Sequence, residues 1–252
     1  MTNEIKTDNL SDQFLQQSNA MLLQQKMDDL IKETNQFTYI ITHDLQAPLR
    51  MITGFLELIE KRYAMQLDDT GKQYISYAMK GSVKIKSLIF DLLEYSRVSS
   101  IAQIDEEVDL SEILKKVMED LAPEISTTGA RITAGYLPVI HADKRLMNLL
   151  FYHIVENAIK FRSSAVPEIN IATVQGSRGR EVHFTDNGIG IDPAFYEKIF
   201  LIFRRLHTDE EKFPGSGTGL AICRKVAKLH GGDISVESKP GNGSVFKVWL
   251  PE

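Results

Sequence analysis

The sequence predicts an α+β protein in which a long antiparallel helical hairpin is followed by an α/β sandwich. Two observations support this prediction. Between residues 11 and 99 the chain contains one proline and three glycines, and its apolar residues recur at helical spacing. From about residue 104 onward, short segments typical of strands are interleaved with helical segments. This mixed order favours a sandwich of helices on a sheet over a doubly wound sheet.

Composition excludes several classes of protein. The 252 residues carry a net charge of −5, which disfavours binding to nucleic acid. The single cysteine, Cys223, excludes an intrachain disulfide and any metal site built from several cysteines. No apolar run has the roughly 20 residues of a membrane span, and the N-terminus lacks the basic-then-apolar pattern of a signal peptide. We therefore expect a cytoplasmic protein with no membrane segment and no nucleic-acid partner.

The first helical segment carries a heptad-like apolar seam. Its members recur at steps of three and four residues and comprise Ala20, Leu23, Met27, Leu30, Thr34, Phe37 and Ile41. The period continues less regularly through Met51, Phe55 and Leu58. Residues 1–36 are accordingly predicted to form a coiled-coil helix that leads into a helical unit at residues 37–100.

A polar turn separates the two predicted helices of the hairpin. The segment from Gln66 to Gly71 contains a candidate N-cap at Asp69 or Thr70. The apolar side predicted for the second helix comprises Tyr74, Tyr77 or Ala78, Val83 or Ile85, Leu88 or Ile89, Leu92 or Leu93, and Ser96. A lone hairpin cannot close a core around such stripes, whereas two hairpins paired as a four-helix bundle can. We therefore predict a homodimer.

Residues 104–252 are predicted to form a second domain. Predicted helices cover residues 113–121, 144–161 and 219–229, and predicted strands cover residues 131–133, 138–140, 168–174, 181–185, 233–238 and 244–250. We expect Pro123 to help end the first of these helices. Gly231-Gly232 is the expected stop signal of the last one.

Residues 42–50 place a histidine beside a carboxylate in the first helix. Because His43 is two residues from Ile41, it is expected to point away from the apolar seam. Asp44 could hold Nδ1–H and leave Nε2 free to act as a nucleophile. Pro48 cannot donate a helical hydrogen bond, so the helix should kink or soften there. Taken alone, this segment is more often an ordinary surface histidine beside a kink.

The predicted helix at residues 144–161 has a polar stripe beside its buried one. His153, Asn157 and Lys160 lie at positions i, i+4 and i+7 of this stripe. An amide oxygen can ligate Mg²⁺, and a lysine one turn later can meet phosphate charge. The polar face of an ordinary amphipathic helix explains the same pattern equally well.

Two glycine-containing loops complete the candidate chemistry. In the first, a strand ends at Asp186, whose carboxylate could accept from an amine such as adenine N6, and Gly188 and Gly190 let the backbone approach a flat ring. In the second, residues 215–220 open a helix, where backbone N–H groups form an anion cradle. The second loop is neither a Walker A motif nor a dinucleotide motif. Taken singly, the two segments are an ordinary turn and a flexible loop.

Together and in this order, these segments resemble the catalytic core of a sensor histidine kinase of two-component signalling. Residues 42–50 resemble the phosphoacceptor box, residues 149–160 the N box, residues 186–190 and 215–220 the two glycine boxes, residues 199–206 the aromatic box, and residues 241–246 the closing hairpin. The resemblance spans about residues 37–251. The variant His-Asp-Leu-Gln is similar to the phytochrome-like branch.

The resemblance implies a dimerisation and histidine phosphotransfer domain at residues 37–100, preceded by a signalling helix, and an ATP-binding domain at residues 104–252 of the kind shared with gyrase and Hsp90. It implies ATP and Mg²⁺ as cofactors, phosphorylation of His43, Asp44 as its orienting group and general base, and Asn157 as the ligand of Mg²⁺. The other implied ATP-binding residues are Lys160, Asp186, Gly188, Gly190, Phe203 as anchor of the lid, Arg205, Gly215, Gly217, Thr218, Gly219 and Leu220. The phosphoryl group would then pass to an aspartate of a response-regulator receiver domain, and the sensor would be deleted or a separate partner.

Two residues depart from the family's pattern. The family usually has Asn where this chain has His153. The position four after the phosphoacceptor histidine is often Thr or Asn in members that dephosphorylate their partner; here Ala47 predicts weak or absent phosphatase activity. Two alternatives stay open beside an autokinase: an ATP-binding scaffold of the same fold without phosphotransfer, and an ATPase that acts as a conformational clamp. The histidine box in a dimerising helix and the absence of a glutamate that would activate water argue against the ATPase.

Overall fold

The computed structural model describes residues 4–98, 104, 106–176, 179–206, 213 and 215–251. Its first part is an antiparallel hairpin of two helices, α1 (Glu4–Tyr63) and α2 (Asp69–Val98), which confirms the predicted hairpin. Helix α1 continues through Pro48. The turn is fixed by Asp68, whose Oδ1 accepts a hydrogen bond from the backbone N of Gly71 at 2.7 Å. The N-cap therefore lies one residue before Asp69, the earlier of the two predicted candidates.

The contact between α1 and α2 contains small polar side chains as well as apolar ones. The buried apolar side chains of the hairpin include Leu49, Ile89 and Leu93. Thr42 is fully buried, and its Oγ1 donates to the backbone O of Thr38 at 2.7 Å. Ser96 Oγ of α2 donates to Asn35 Oδ1 of α1 at 3.0 Å. This last bond joins the two helices directly.

The predicted apolar seam of α1 lies on a different face from the one that contacts α2. Leu30 and Phe37 are each 65% exposed. The side chains of Ala20, Leu23 and Met27 lie outside the described residues. The apolar side predicted for α2 divides into two faces, because Ile89 and Leu93 are buried whereas Tyr74, Tyr77, Val83 and Ile85 are exposed. The hairpin therefore presents apolar surface that nothing in this single chain covers among the described residues.

The second part of the structure is the predicted α/β sandwich. Its strands are β1 (Glu106–Asp109), β2 (Arg131–Ala134), β3 (Val139–Ala142), β4 (Glu168–Gly176), β5 (Gly179–Asp186), β6 (Asp233–Ser238) and β7 (Ser244–Trp249). Five of them form a sheet with the order β2-β4-β5-β7-β6, in which β2 and β4 are parallel and the other neighbours antiparallel. Strands β1 and β3 form a separate antiparallel pair.

Four α-helices lie in the described part of this domain: α3 (Leu110–Asp120), α4 (Ala122–Thr128), α5 (Lys144–Lys160) and α6 (Gly219–Leu229). Two 3-10 helices lie at Pro193–Phe195 and Lys198–Phe200. Helix α5 is central, since it contacts α3, α4, α6 and β5. The core around it is tightly buried and includes Leu150, Val155, Ile171 and Ile222, each without solvent exposure. Among the described residues, no helix combines the length and apolar character that crossing a membrane requires.

A histidine joins the beginning of α5 to the end of α6. Asp143 caps α5, since its Oδ1 accepts from the backbone N of Leu146 at 3.0 Å. The backbone N of Asp143 donates to His230 Nε2 at 3.1 Å, and His230 Nδ1 lies 2.8 Å from the backbone O of Val226. Both ring nitrogens of this buried histidine are therefore used in holding the two helices that border the candidate site.

Two short elements differ from the predictions. Pro123 lies in the first turn of α4, where a proline needs no N–H partner, so it begins a helix instead of ending one. The preceding helix, α3, ends earlier, at Asp120. The sequence does not predict strand β1, because its four residues gain their partners from β3, 30 to 36 positions later.

Candidate functional site

A cleft of about 290 Å³ lies between α5, the loop after β5 and the loop before α6. Ten of the predicted site residues line it: Asn157, Lys160, Asp186, Gly190, Arg205, Gly215, Gly217, Thr218, Gly219 and Leu220. Gly188 and Phe203 are not among the lining residues. Ser87 and Asp91 of α2 also line the cleft, so the hairpin forms part of its wall.

Asp186 ends β5 and lines the cleft. Its Oδ1 accepts from the backbone N of Gly188 at 2.8 Å and from the backbone N of Ser244 at 3.2 Å. Burial raises the pKa of Asp186, and these two backbone donors oppose that rise. The carboxylate is thus held in a fixed orientation by main-chain groups, which suits it to accept a hydrogen bond from a ligand amine.

The two glycines after Asp186 are required by space. A Cβ on Gly188 would lie 2.6 Å from the backbone O of Phe161, the C-cap residue of α5. Gly190 has a φ of 72°, in the left-handed region, and its backbone lies against Lys239 of the turn between β6 and β7. Gly188 therefore shapes the cleft from behind, without lining it, by holding the loop against α5.

Helix α5 contributes the polar stripe that the sequence predicts. Asn157 and Lys160 both line the cleft from this helix. Burial lowers the pKa of Lys160, Glu156 opposes this, and Arg205 lowers it further. Lys160 Nζ lies 4.8 Å from the centre of the Phe161 ring. A half-buried cation close to a second cation is suited to binding an anion.

The second glycine loop faces this cationic end. A Cβ on Gly215 would lie 2.7 Å from Lys160 Nζ, and Gly217 has a φ of 82° with the backbone O of Arg204 directly against it. Thr218 is buried, and its Oγ1 lies 2.6 Å from Ser216 Oγ. Helix α6 begins at Gly219, so its first backbone N–H groups add to the positive potential here. Residues 207–212 and 214 lie outside the described residues.

The aromatic residue predicted to anchor the lid does not line the cleft, whereas the nearby Phe213 does. Phe203 is 39% exposed and stands outside the cleft, with a φ of 60°. Phe213 is buried, lines the cleft and stacks on Phe161 with 5.1 Å between ring centres. The backbone O of Phe213 also accepts from Arg205 at 3.0 Å. The sequence signal for Phe213 is its position shortly before the glycine loop.

His153 also lines the cleft, and its surroundings could not be predicted. Its Nδ1 lies 3.7 Å from Glu156 Oε2, and its Nε2 lies 3.7 Å from Glu94 Oε2 of the hairpin. Burial by itself lowers the pKa of His153, but the two carboxylates outweigh it and raise the pKa to about 9. The ring also packs against Gly219, where a Cβ would approach Nδ1 to 3.0 Å. The imidazole therefore stands between two carboxylates beside the beginning of α6.

His43 stands apart from the cleft on α1, as the sequence predicts for an outward-facing residue. Its side chain is 70% exposed, and its Nδ1 lies 3.2 Å from Asp44 Oδ1. The ring of Tyr39 stacks one turn away, with 6.3 Å between ring centres. Since Nδ1 is engaged with Asp44, Nε2 is the nitrogen left for attack on an electrophile.

Within the part of the chain that the structure describes, no cluster of three or more His, Cys, Asp or Glu side chains could hold a metal ion. Asn157 nevertheless supplies an amide oxygen at the cationic end of the cleft. Mg²⁺ commonly keeps several waters and binds through one or two protein groups together with substrate phosphates. The residues present therefore fit a Mg²⁺ ion that arrives with a phosphate ligand.

Two family models match the chain. The model for "His Kinase A (phospho-acceptor) domain" matches residues 33–101, and the model for "Histidine kinase-, DNA gyrase B-, and HSP90-like ATPase" matches residues 142–252. The first range contains the His43–Asp44 pair, and the second contains α5, both glycine loops and the rest of the sheet from β4 onward.

Curated relatives are similar over most of this chain. Cyanobacterial phytochrome A of Nostoc sp. is 40% identical over 219 residues, which are 87% of this chain and 28% of the relative. Phytochrome-like protein Cph1 of Synechocystis sp. is 39% identical over 220 residues, 87% of this chain and 29% of the relative. The chain therefore spans less than a third of the length of these relatives.

Solved structures share the arrangement of hairpin and sandwich. Full-length ShkA in complex with AMPPNP is 25% identical with a TM-score of 0.59, covering 85% of this chain and 45% of that one. Histidine kinase ThkA in complex with response regulator protein TrrA is 24% identical with a TM-score of 0.57, covering 86% of this chain and 61% of that one. The second likeness is one of fold.

Proposed function

The chain belongs to the sensor histidine kinases, with a phospho-acceptor domain before an ATP-binding domain, and on that premise we propose that it is an ATP-dependent autokinase that phosphorylates His43. The observation that carries the proposal is the pairing of an exposed, carboxylate-oriented imidazole on α1 with a cleft suited to a nucleotide. The reaction is a phosphoryl transfer in which positioning and charge neutralisation do most of the work.

In this proposal the cleft binds ATP along its length. Asp186 accepts from adenine N6, and Gly188 and Gly190 shape the adenine pocket. Lys160 and Arg205 meet the phosphates, and residues 215–220 surround them with backbone N–H groups. Asn157 would hold Mg²⁺, which neutralises phosphate charge when bound. The fixed carboxylate at one end and the cations at the other support this orientation.

Transfer to His43 follows from its pairing with Asp44. Nε2 attacks the γ-phosphorus, a P–N bond forms, and the bond to the β–γ bridging oxygen breaks with release of ADP. Asp44 holds Nδ1–H and takes up the proton as general base. The 3.2 Å separation of Nδ1 and Asp44 Oδ1 supports this role, and both side chains are exposed where a phosphate could approach them.

The proposed partners follow from the surfaces and the family. We propose a homodimer in which the exposed apolar faces of α1 and α2 pair as a four-helix bundle. The phosphoryl group then passes to an aspartate of a response regulator, a partner class that the complex of ThkA with TrrA exemplifies for a histidine kinase of the same fold. The site of action is proposed to be the cytoplasm, where ATP is supplied, with sensing by a domain outside this chain.

Ala47 bears on the reverse reaction. It is exposed one turn after His43 and has no group that could position a water molecule. We propose that the protein has weak or no phosphatase activity of the kind that uses Thr or Asn there. Rapid loss of phosphate from its phosphorylated regulator on addition of ADP and purified protein would contradict this.

The deciding experiment is autophosphorylation with labelled ATP in wild type and His43→Gln. We expect an acid-labile, alkali-stable phosphate in the wild type and its complete loss in the variant. His141→Gln is the matched control, because His141 is also an exposed histidine but lies on β3 outside the cleft. Labelling retained in His43→Gln, or lost in His141→Gln, would contradict the assignment.

A second candidate function is an ATP-binding scaffold of the same fold. The observation that favours it is His153, where the family usually has Asn, paired with two carboxylates beside the cationic end of the cleft. A scaffold would bind nucleotide but show no autophosphorylation at any Mg²⁺ concentration. The same labelling experiment, run with a nucleotide-binding measurement, separates the two functions.

A further inference from the structure

Tyr196 holds the end of strand β6 through its hydroxyl group. The residue directly follows the 3-10 helix at Pro193–Phe195, in the segment between β5 and α6. Its Oη accepts a hydrogen bond from the backbone N of Ser238 at 2.6 Å and donates one to the backbone O of the same residue. One hydroxyl group therefore engages both main-chain polar groups of Ser238. Neither residue lines the cleft, so Tyr196 can act on a ligand there only through other residues.

Ser238 in turn contacts two segments that border the cleft. Its Oγ accepts from the backbone N of Ile191 at 2.8 Å, and Ile191 lines the cleft. The same Oγ donates to the backbone O of Gly243 at 2.6 Å and lies 3.0 Å from Ser244 Oγ. Ser238 therefore joins the loop after β5 to the beginning of β7.

Ser244 completes the path from Tyr196 to the carboxylate of Asp186. Ser244 is buried and lines the cleft, and its backbone N donates to Asp186 Oδ1. The backbone N of Gly188 donates to the same oxygen. Both donors therefore meet Oδ1, and among the described residues no donor meets Oδ2. Oδ2 is thus the oxygen that remains available to a ligand.

The orientation of this carboxylate decides how well the cleft can recognise an amine. A carboxylate oxygen accepts a hydrogen bond from an amino group only when it points at that group, because the strength of the bond falls steeply with its angle. A hydrogen bond to a charged group contributes more to binding than one between neutral groups. A carboxylate that could turn would lose part of this contribution, since binding would then have to fix its orientation.

We propose that Tyr196 is a positioning residue that sets the preference of the cleft for a purine with a 6-amino group. Its hydroxyl holds Ser238, Ser238 holds the beginning of β7, and Ser244 holds Asp186 with Oδ2 available to the amine. The inference rests on the proposed binding of ATP in the cleft. Since Tyr196 touches no ligand, loss of its hydroxyl should weaken recognition of the amine and leave the other contacts of the nucleotide unchanged.

The first test compares two nucleotides that differ only in the amine. Calorimetry measures the affinity of the full chain for ADP and for purine riboside diphosphate, which lacks the 6-amino group; neither can donate a γ-phosphoryl group. We expect wild type to bind ADP about tenfold more tightly than the analogue. In Tyr196→Phe this preference should fall to about two- to threefold, whereas the affinity for the analogue should stay within about twofold of wild type.

The second test examines the next step of the path. Ser238→Ala removes Oγ but keeps the main-chain groups that Tyr196 holds. We expect a similar loss of preference for ADP, and the double variant should lose no more than the larger single loss, because both groups act on one path. Tyr136→Phe is the matched control, since Tyr136 is 73% exposed and lies outside the cleft, and its preference should equal that of wild type.

The outcomes separate the positioning role from the proposed function. If Tyr196→Phe weakened both nucleotides equally, the tyrosine would only support the fold and the proposal would be overturned. An unchanged preference in Tyr196→Phe or in Ser238→Ala, or a reduced one in Tyr136→Phe, would overturn it as well. If wild type bound both nucleotides equally, recognition of the amine by Asp186 would fail together with the positioning role, while nucleotide binding would stand. If neither nucleotide bound to wild type, the proposed function itself would fail.

Discussion

The hairpin and the ATP-binding domain differ in how fully they bury their apolar side chains. The ATP-binding domain buries its large apolar side chains around α5, and the twelve largest side chains with less than 2% exposure all belong to it. The hairpin leaves Leu30, Phe37 and Phe55 each about two-thirds exposed. The ATP-binding domain therefore closes its core within one chain, whereas the hairpin leaves apolar side chains uncovered among the described residues. The residue proposed to receive the phosphoryl group, His43, belongs to the hairpin.

The largest effect should come from the core of the ATP-binding domain. Leu150→Ala removes a fully buried side chain from the inner face of α5 and should lower the free energy of unfolding by about 2–5 kcal/mol. Denaturation by urea measures the change. Leu201→Ala is the control, because Leu201 is 57% exposed and its loss should cost less than about 0.5 kcal/mol. Equal costs would mean that this domain is not organised around α5.

The next effect concerns the hairpin and should leave folding of the single chain largely unchanged. Phe55→Glu places a charge on the predicted seam. Pairing of two seams would bury this charge, so the dissociation constant of the dimer should rise about 100-fold. Mass photometry over a dilution series measures this. Tyr136→Glu changes a 73% exposed aromatic residue of the other domain and should leave the dimer intact. A dimer that withstands Phe55→Glu would place the interface elsewhere.

A smaller effect depends on pH and concerns the junction of the two regions. In the folded state the pKa of His153 is raised from 6.5 to about 9. Below pH 6.5 the imidazole is charged in both the folded and the unfolded state, so its contribution to the free energy of unfolding is complete there. As the pH rises toward 9 that stabilisation is lost. We expect the free energy of unfolding to fall by about 1–2 kcal/mol between these values, after screening of the half-exposed carboxylates.

His153→Asn provides the comparison for this pH dependence. Its free energy of unfolding should fall less than that of wild type over the same range, measured by urea denaturation at several pH values. His141→Asn, at an exposed position, should follow the wild-type curve. If the free energy of unfolding of wild type changed with pH in parallel with that of His153→Asn, the carboxylates of Glu94 and Glu156 would not be raising the pKa of His153.

The smallest effect contrasts glycines of the two regions. Gly54 lies inside α1 with open space where a Cβ would stand, so Gly54→Ala should stabilise the protein by about 0.5–1 kcal/mol through helix propensity. Gly190→Ala should destabilise it, because Gly190 has a positive φ and no room for a Cβ. Thermal denaturation measures both changes. We expect Gly54→Ala to raise the melting temperature and Gly190→Ala to lower it.

Local signals explain which elements the sequence could predict. Helix α6 and strand β6 have the predicted bounds, because Gly219 and Gly231-Gly232 mark the helix ends and the strand follows directly. Helix α5 differs from its prediction by one residue at Phe161. The sequence does not predict strand β1 or helix α4. Each is short, and each depends on partners or on a cap that composition does not reveal.

The site residues divide in the same way, into those that belong to local motifs and those that depend on contacts between distant parts of the chain. Residues within motifs, such as Asp186 and Lys160, reach the cleft as predicted. Phe203 does not line the cleft, and its role as anchor of the lid stays a prediction. The contact of His153 with Glu94 joins residues 59 positions apart in different domains. No periodicity or spacing encodes such a pair, which arises from how the domains meet.

The polar interior of the hairpin has a mechanical consequence. Helix α1 is a single rod of 60 residues, about 90 Å long at 1.5 Å per residue. Thr42 of α1 and Ser82 of α2 are buried between the helices, yet each hydroxyl donates to a carbonyl of its own helix, so these bonds survive when one helix turns against the other. Turning α1 about its axis therefore breaks few bonds at these levels. Helix α1 can therefore transmit a rotation along its length. A rotation applied at its N-terminal end would turn the imidazole of His43 toward or away from an incoming phosphate.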